Sequence, residues 1–288
     1  MHIVDLYRRG EPVISFEFFP PKTDAGFRSL FRTIEDLKKL APGFVSVTMG
    51  AGGSTRAKTV DLVIRIQREI GLTAMAHLPC LGFDPPAITG ILEALQEGGV
   101  RNVLALRGAS PRDQPDFARP EGGFGYANEL ARFIADRGGF SIGGACYPEV
   151  HPEATSPEVD LRNLVRKVED GAQFLITQLF FDNRKFFDFV ERVRAAGVDV
   201  PIVPGIMPIT SVKSIRRMIE LGGGSLPAEL DAELSRVDDD DEATLEIGVA
   251  WAIEQCRELI EQGVPGIHFY TLNRSPATRR IHRALFGS

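Results

Sequence analysis

Short apolar runs alternate with longer amphipathic stretches along almost the whole chain. The runs VISFEF (13–18), GFVSVT (43–48), LTAMAHL (72–78), NVLALRG (102–108), SIGGACYP (141–148), FLITQLFF (174–181), PIVPGIM (201–207) and GIHFYTL (266–272) read as buried strands. After them, apolar residues recur at helical spacing over 24–40, 55–70, 84–98, 123–137, 156–171, 183–196, 211–221 and 275–285. Eight strand-then-helix units predict an α/β fold, a closed (β/α)8 TIM barrel, where an open doubly wound sheet more often stops at about five or six strands. The segment 226–263 falls between units seven and eight and predicts an extra helical insertion before the last strand, of two helices, the second rich in apolar positions around Trp251. No low-complexity linker divides the chain, so residues 1–288 are expected to form one domain.

Composition narrows the class. At 43% hydrophobic and 25% charged the sequence is that of a globular protein with a sizeable core. The net charge is −6 and no basic stripe stands out, so a nucleic-acid partner is not expected. No run of about 18 uncharged apolar residues exists, so no membrane span is expected, and MHIVDLYRRGEPV carries charges where a signal peptide needs an apolar centre. Cys80, Cys146 and Cys256 stand alone without CxxC spacing, which fits a reducing cytoplasm and predicts neither disulfides nor a zinc site. The acidic run at 238–242 reads as a solvated loop or the acidic start of a helix.

In barrels of this kind chemistry gathers where strands end and the following loops begin. Glu17, Thr48, His77, Arg107, Tyr147, Gln178 and Asn273 fall at or near such ends. Glu17 sits among aromatics and reads either as an inward acid paired across the barrel or as a general acid kept protonated by dry surroundings. His77 reads as a hydrogen-bonded core histidine; no second histidine lies at ligand spacing, so no metal is expected. Arg107 and Gly108 offer a planar donor set and room for close backbone approach, or an ordinary turn with a surface arginine. Between 146 and 172, two X-Pro turns hold Tyr147 and His151 in a stiff loop, and Asp160, Asn163, Arg166 and Lys167 follow at helical spacing. An aromatic ring, a histidine, an acid and two cations suit a nucleotide's base, ribose and diphosphate. No GxGxxG follows a strand, so a dinucleotide would bind at the barrel mouth.

The segments SFEFFPPK, FVSVT, AHL, ALRG, YPE with HPE, ITQLFF, PGIMPIT and HFYTLNRSPAT, running in order from Ser15 to Thr278, closely resemble the methylenetetrahydrofolate reductases. The length resembles the bacterial form that has the catalytic domain alone. The resemblance implies a cytoplasmic flavoprotein of one-carbon metabolism and methionine biosynthesis. NADH or NADPH would reduce bound FAD and leave, and 5,10-methylenetetrahydrofolate would then be protonated and reduced to 5-methyltetrahydrofolate. It implies Glu17 as general acid; Thr48, His77, Arg107, Gly108, Tyr147, His151, Asp160, Asn163, Arg166 and Lys167 at FAD; and Gln178, Leu272, Arg274 and Met218 near the folate. Relatives of this family form dimers or tetramers, so a homo-oligomer is implied as well. Four positions depart from the family pattern on the expected reacting face: Ala109 for an aspartate, Met49 for a tyrosine, Met218 for a phenylalanine and Ser214 for a glutamine. These leave open a flavin-free transfer of hydride from NADH directly to the same folate, and give weight to a catalytically silent barrel that serves as a subunit or binding partner of another redox protein; a pterin barrel that transfers a methyl group is a further alternative, against which the flavin-contacting positions speak.

Overall fold

Among the described residues, nine strand segments form one all-parallel sheet: β1 (Val13–Phe18), β2 (Phe44–Val47), β3 (Ala74–Pro79), β4 (Asn102–Leu106), β5 (Ser141–Cys146), β6 (Phe174–Thr177), β7 (Ile202–Val203), β8 (Gly205–Ile206) and β9 (Gly266–Tyr270). The computed structural model describes residues 1–49, 53–108 and 120–287, with residues 53–55 described by their backbone alone. The expectation for Ala109 therefore lies outside the described residues.

The sheet runs β7-β6-β5-β4-β3-β2-β1-β9-β8. Its two ends are halves of one strand, interrupted at Pro204. The first half pairs with β6 and the second with β9, so the ring closes through the expected seventh strand. A proline has no N–H to give to a ladder, and Pro204 contributes only its carbonyl, which accepts from the His268 N–H at 3.0 Å. Side chains complete the seam. Gly205 N–H donates to Thr177 Oγ1 at 2.9 Å, and the Tyr270 hydroxyl donates to the Thr177 carbonyl at 2.6 Å. A Cβ on Gly205 would stand 2.4 Å from that same carbonyl, so only glycine fits.

The outer ring begins with α1 (Asp24–Lys38), α2 (Gly53–Arg65), α3 (Pro85–Glu97), α4 (Ala127–Arg137), α5 (Pro157–Glu169) and α6 (Asn183–Ala195). It is completed by α7 (Val212–Gly222) and α10 (Pro276–Phe286), and α8 (Ala228–Ser235) and α9 (Asp241–Glu261) form the two-helix insertion. Several starts were written in the sequence as capping residues: Thr23, Asp84, Ser156 and Asp182 each accept a backbone N–H of the first turn. The acidic run caps α9, where the Asp240 carboxylate accepts the N–H groups of Glu242 and Ala243 at 3.0 Å each. Strand β6 is shorter than its apolar run. Gln178 N–H turns to the Cys146 carbonyl at 2.7 Å, and Leu179, Phe180 and Phe181 are buried as core residues in the connection to α6.

Strand alternation sorts β1 into two faces. Phe16 and Phe18 point outward into the core between sheet and helices, with Leu30, Ile34, Val45 and Val47. Val13, Ser15 and Glu17 point inward. The lower barrel is filled by Val13, Phe44, Met75, Leu104, Phe174 and Val203, and is closed by Ile3, Leu6 and Tyr7 from the helical turns Ile3–Asp5 and Tyr7–Arg9. Ile3 N–H donates to the Asn102 side chain at 2.8 Å and anchors this plug. Gly143 lacks the Cβ that would meet the Phe174 ring at 2.6 Å. With one end sealed, the C-terminal ends of the strands form the open mouth. No helix of the described residues is long and apolar enough to cross a membrane.

Candidate functional site

Three groups of residues meet around the mouth. The first lines a cavity of about 560 Å³ beyond β4 and β5, walled by the start of α4, the loop 147–155 and α5. Arg107, Tyr147, His151, Asp160, Asn163, Arg166 and Lys167 all line it, so the helical spacing expected for the last four places them on one wall. The loop is stiff for reasons visible in its bonds. His151 N–H donates to Asp160 Oδ2 at 3.1 Å, His151 Nδ1 accepts the Glu153 N–H at 3.0 Å, and the Tyr147 and His151 rings pack edge to face at 4.5 Å. Val150 holds φ 74, a left-handed conformation that costs a β-branched residue on the order of 1–3 kcal/mol. Gly108 (φ 83) follows Arg107, and a Cβ there would meet Pro79 at 2.8 Å.

The charges of this cavity are unevenly paired. Arg107 forms a close ion pair with Glu153. Lys167 donates to the Ala145 carbonyl at 2.5 Å and has no carboxylate within ion-pair distance among the described residues. Its stem packs over Gly144, where a Cβ would meet it at 2.7 Å. Burial lowers the Lys167 pKa against the opposing pull of Cys146 and Asp160. Burial likewise lowers that of His151, and it pushes the Tyr147 hydroxyl up to about 12, Asp160 adding to the rise. A half-buried ammonium held by one carbonyl is a place for an anionic group. The donor set and the cavity's size fit the diphosphate and ribose of a nucleotide cofactor.

The second group lies on the barrel axis. Glu17 Oε2 stands 3.4 Å from His77 Nε2 and 3.7 Å from His268 Nε2. Ser46 Oγ lies between the two imidazoles, 3.2 Å from His77 Nε2 and 3.4 Å from His268 Nε2. Tyr270 packs edge to face on His268 at 5.5 Å. The aromatic neighbours of Glu17 in the sequence thus face away from it, and its real company is polar. His77 is the hydrogen-bonded core histidine expected, and it also touches the acid. Burial holds its pKa below the ordinary histidine value more strongly than Glu17 raises it, and His268 adds to the lowering. The unfolded chain therefore takes up this proton first on acidification. Stability is full above about pH 6.5 and falls as the pH drops from there toward the folded-state pKa. Urea unfolding of the cofactor-free protein is expected to show a midpoint that falls with acid over this window, and a His77→Gln variant is expected to flatten that fall. An unchanged slope in the variant would count against it.

The third group is apolar. Leu179, Met207 and Ile209 form a buried cluster against which Met218, Tyr270 and Leu272 pack. Gln178 lies against Gly222 of α7, and its Oε1 accepts the Leu179 N–H at 2.9 Å. Exposed Arg274 shares with Tyr270 and Leu272 a second cavity of about 280 Å³ under the start of α9. Leu272 and Asn273 are both left-handed (φ 50 and 59), and the Asn273 amide ties this turn to the backbone of Phe19 at 2.8 and 3.0 Å.

Met49 is buried in the core between sheet and helices, and Ser214 is exposed on α7, four residues before Met218. Thr48 continues the β1–β2 pairing by donating its N–H to Phe18 at 2.8 Å and does not line the nucleotide-sized cavity. Sequence reasoning missed Ser15, Ser46, His268 and Tyr270 as neighbours of Glu17. Their signal was the two-residue period of polar positions within apolar strands: Ser15 with Glu17, and His268 with Tyr270.

The methylenetetrahydrofolate reductase family model matches residues 2–285. The chain belongs to this family. The 5,10-methylenetetrahydrofolate reductase of Escherichia coli is 38% identical over 277 residues, covering 96% of this chain and 92% of that one. Methylenetetrahydrofolate reductase (NADH) 1 of Arabidopsis thaliana is 40% identical over 288 residues, covering 95% of this chain and 49% of the plant protein. The chain thus spans about half the length of its plant relative. Among solved structures, a protein from Clostridium thermocellum that binds two copies of 5-methyl-5,6,7,8-tetrahydrofolic acid shares the fold, with a TM-score of 0.65 at 14% identity over 98% of this chain and 96% of that one. The residues of all three groups lie within the matched span.

Proposed function

We propose that this chain reduces 5,10-methylenetetrahydrofolate to 5-methyltetrahydrofolate with NADH or NADPH, using bound FAD, in a ping-pong cycle with Glu17 as general acid. The observation that carries the reading is the presence of an inward carboxyl and a cation-bearing, nucleotide-sized cavity at one barrel mouth. FAD, when bound, supplies the two-electron carrier between nicotinamide and folate. Lys167 and Arg166 would hold its diphosphate, Asp160 and Asn163 its ribose and ribityl hydroxyls, and Tyr147 and His151 its rings. Gln178, Met218 and Leu272 would hold the pterin and its neighbouring ring, with Arg274 near the carboxylate tail. Glu17 delivers a proton to the folate ring nitrogen that departs when the methylene bridge opens, and the apolar wall keeps water from the carbon that is reduced.

The test uses the purified chain. A yellow protein, or a colourless one that turns yellow and binds added FAD, is expected to be bleached by NADH or NADPH without air and to regain its colour as methylenetetrahydrofolate is converted to methyltetrahydrofolate. A colourless protein that makes the product without FAD would favour direct hydride transfer. No flavin binding and no product would overturn the reading.

A further inference from the structure

The loop that carries Tyr147 and His151 is held from outside its cavity as well as from within. Glu149, between those two residues, lines neither the 560 Å³ nor the 280 Å³ cavity, and its side chain is largely buried. It forms a close ion pair with Lys185 of α6. Lys185 Nζ also donates to Ser225 Oγ at 2.6 Å, and Ser225 Oγ donates to Glu149 Oε2 at 2.7 Å. An ammonium has only donors, so the serine oxygen accepts from the lysine and its one hydrogen goes to the carboxylate. The Ser225 N–H closes the clip by donating to Glu149 Oε1 at 3.2 Å. Ser225 belongs to the connection that leaves α7 at Gly222 and enters α8 at Ala228. That connection packs against the same loop. Gly223 (φ 74) stands where a Cβ would meet Pro152 at 2.8 Å and the Val150 carbonyl at 3.4 Å.

We propose that Glu149 is a positioning residue that fixes the loop 147–155 and the end of α7 to each other, and so sets the affinity for cofactor and for folate while touching neither. The inference rests on the proposed function, with FAD in the larger cavity and α7 facing the folate. Val150, the residue after Glu149, is left-handed, and such strain persists only where the surroundings impose it. The clip on one side of Val150, and Gly223 against Pro152 on the other, are those surroundings. At the far end of the clip, Gly222 lies against Gln178, and Met218, one turn earlier, packs on the apolar cluster. A loop without the clip can relax out of its left-handed turn and carry Tyr147 and His151 away from the cavity wall. The end of α7 loses its anchor at the same moment.

Amide hydrogen exchange on the cofactor-free protein tests the clip alone. Glu149→Ala is expected to speed exchange over 149–154 and over 222–226 together, with the barrel strands unchanged. Loosening of one segment without the other would overturn the proposal. Flavin fluorescence supplies the second arm. The folded Glu149→Ala protein is expected to bind FAD roughly 5- to 100-fold more weakly, because binding must then restore a strained loop that the free protein no longer holds. Ser225→Ala removes one hydrogen bond and keeps the ion pair. It is expected to shift both readouts in the same direction by less, and it carries the test if the Glu149 variant does not fold. In a double-mutant cycle, adding Lys185→Met to Glu149→Ala is expected to weaken FAD binding no further. At saturating FAD, Glu149→Ala is expected to raise the folate KM about threefold or more and leave kcat within about twofold of the wild type, since Glu17 is untouched. An unchanged FAD affinity, effects that multiply in the cycle, or an unchanged folate KM would each overturn the proposal. A wild-type protein that binds no FAD would instead overturn the function on which it rests, and hydrogen exchange would still report the clip.

Discussion

Glu17→Gln is expected to lower folate reduction by roughly 10²- to 10⁴-fold, the usual contribution of a positioned general acid. The substitution keeps the size of the side chain beside His77 at 3.4 Å, so the fold and the barrel mouth are expected to persist. What is lost is the acidic proton, and the step that needs it is the opening of the methylene bridge. Reduction of the cofactor by NADH needs no such proton from Glu17, so oxidation of NADH with an artificial electron acceptor is expected to stay close to that of the wild type. Measuring the two half-reactions separately distinguishes the roles. If both fall together, Glu17 holds the mouth in shape and does not act as the acid.

Gly248→Ala is expected to destabilise the protein, against the ordinary preference of helices for alanine. Gly248 lies in the middle of α9, where exchange for alanine would by propensity alone gain about 1 kcal/mol. Here an added Cβ would stand 2.0 Å from the Ile209 carbonyl oxygen and 2.9 Å from its Cα, both backbone atoms that cannot swing aside. Overpacking of this kind costs about 1–3 kcal/mol and more where backbone must move, so the clash outweighs the propensity gain. The thermal midpoint is expected to fall by several degrees. Displacing α9 also opens the 280 Å³ cavity between its first turn, Pro208, Thr210 and Arg274, so any ligand held there should bind more weakly. Gly90, in the middle of α3 with nothing within 4 Å of a built Cβ, is the internal control: Gly90→Ala is expected to stabilise. Equal behaviour of the two variants in thermal unfolding would contradict the close approach of α9 to Ile209.

The fold was legible because its two periods alternate without interruption. Eight apolar runs and the amphipathic stretches behind them map onto the barrel, whereas the run at 201–207 was read as one strand and is split at Pro204. The polar wall of the 560 Å³ cavity was legible because Asp160, Asn163, Arg166 and Lys167 share one helix, α5, where spacing alone fixes the face. The company of Glu17 was not. Aromatic residues adjacent in a strand point to the opposite side of the sheet, so Phe16 and Phe18 misdirected the reading toward an apolar pocket. The true neighbours, Ser46, His77 and His268, lie on three other strands, and only the inter-strand register brings Glu17 opposite Ser46 and Ser15 opposite His268. Gly248 was equally silent, because a glycine in a helix gives no sign of what lies against it.

The partners of Glu17 have a consequence for how the molecule comes to work at all. Ser15 meets His268 across 253 positions, and the Glu17 carbonyl accepts the Thr271 hydroxyl across 254. Each βα unit can organise through near neighbours, but joining the first strand to the last closes almost the longest loop this chain can make, and contacts of such separation form slowly. During refolding, helical signal should therefore return before folate reduction does, and the interval between them times the meeting of the chain's two ends. The grouping of Glu17 with Ser46, His77 and His268 is a property of the finished circle, absent from any of its arcs.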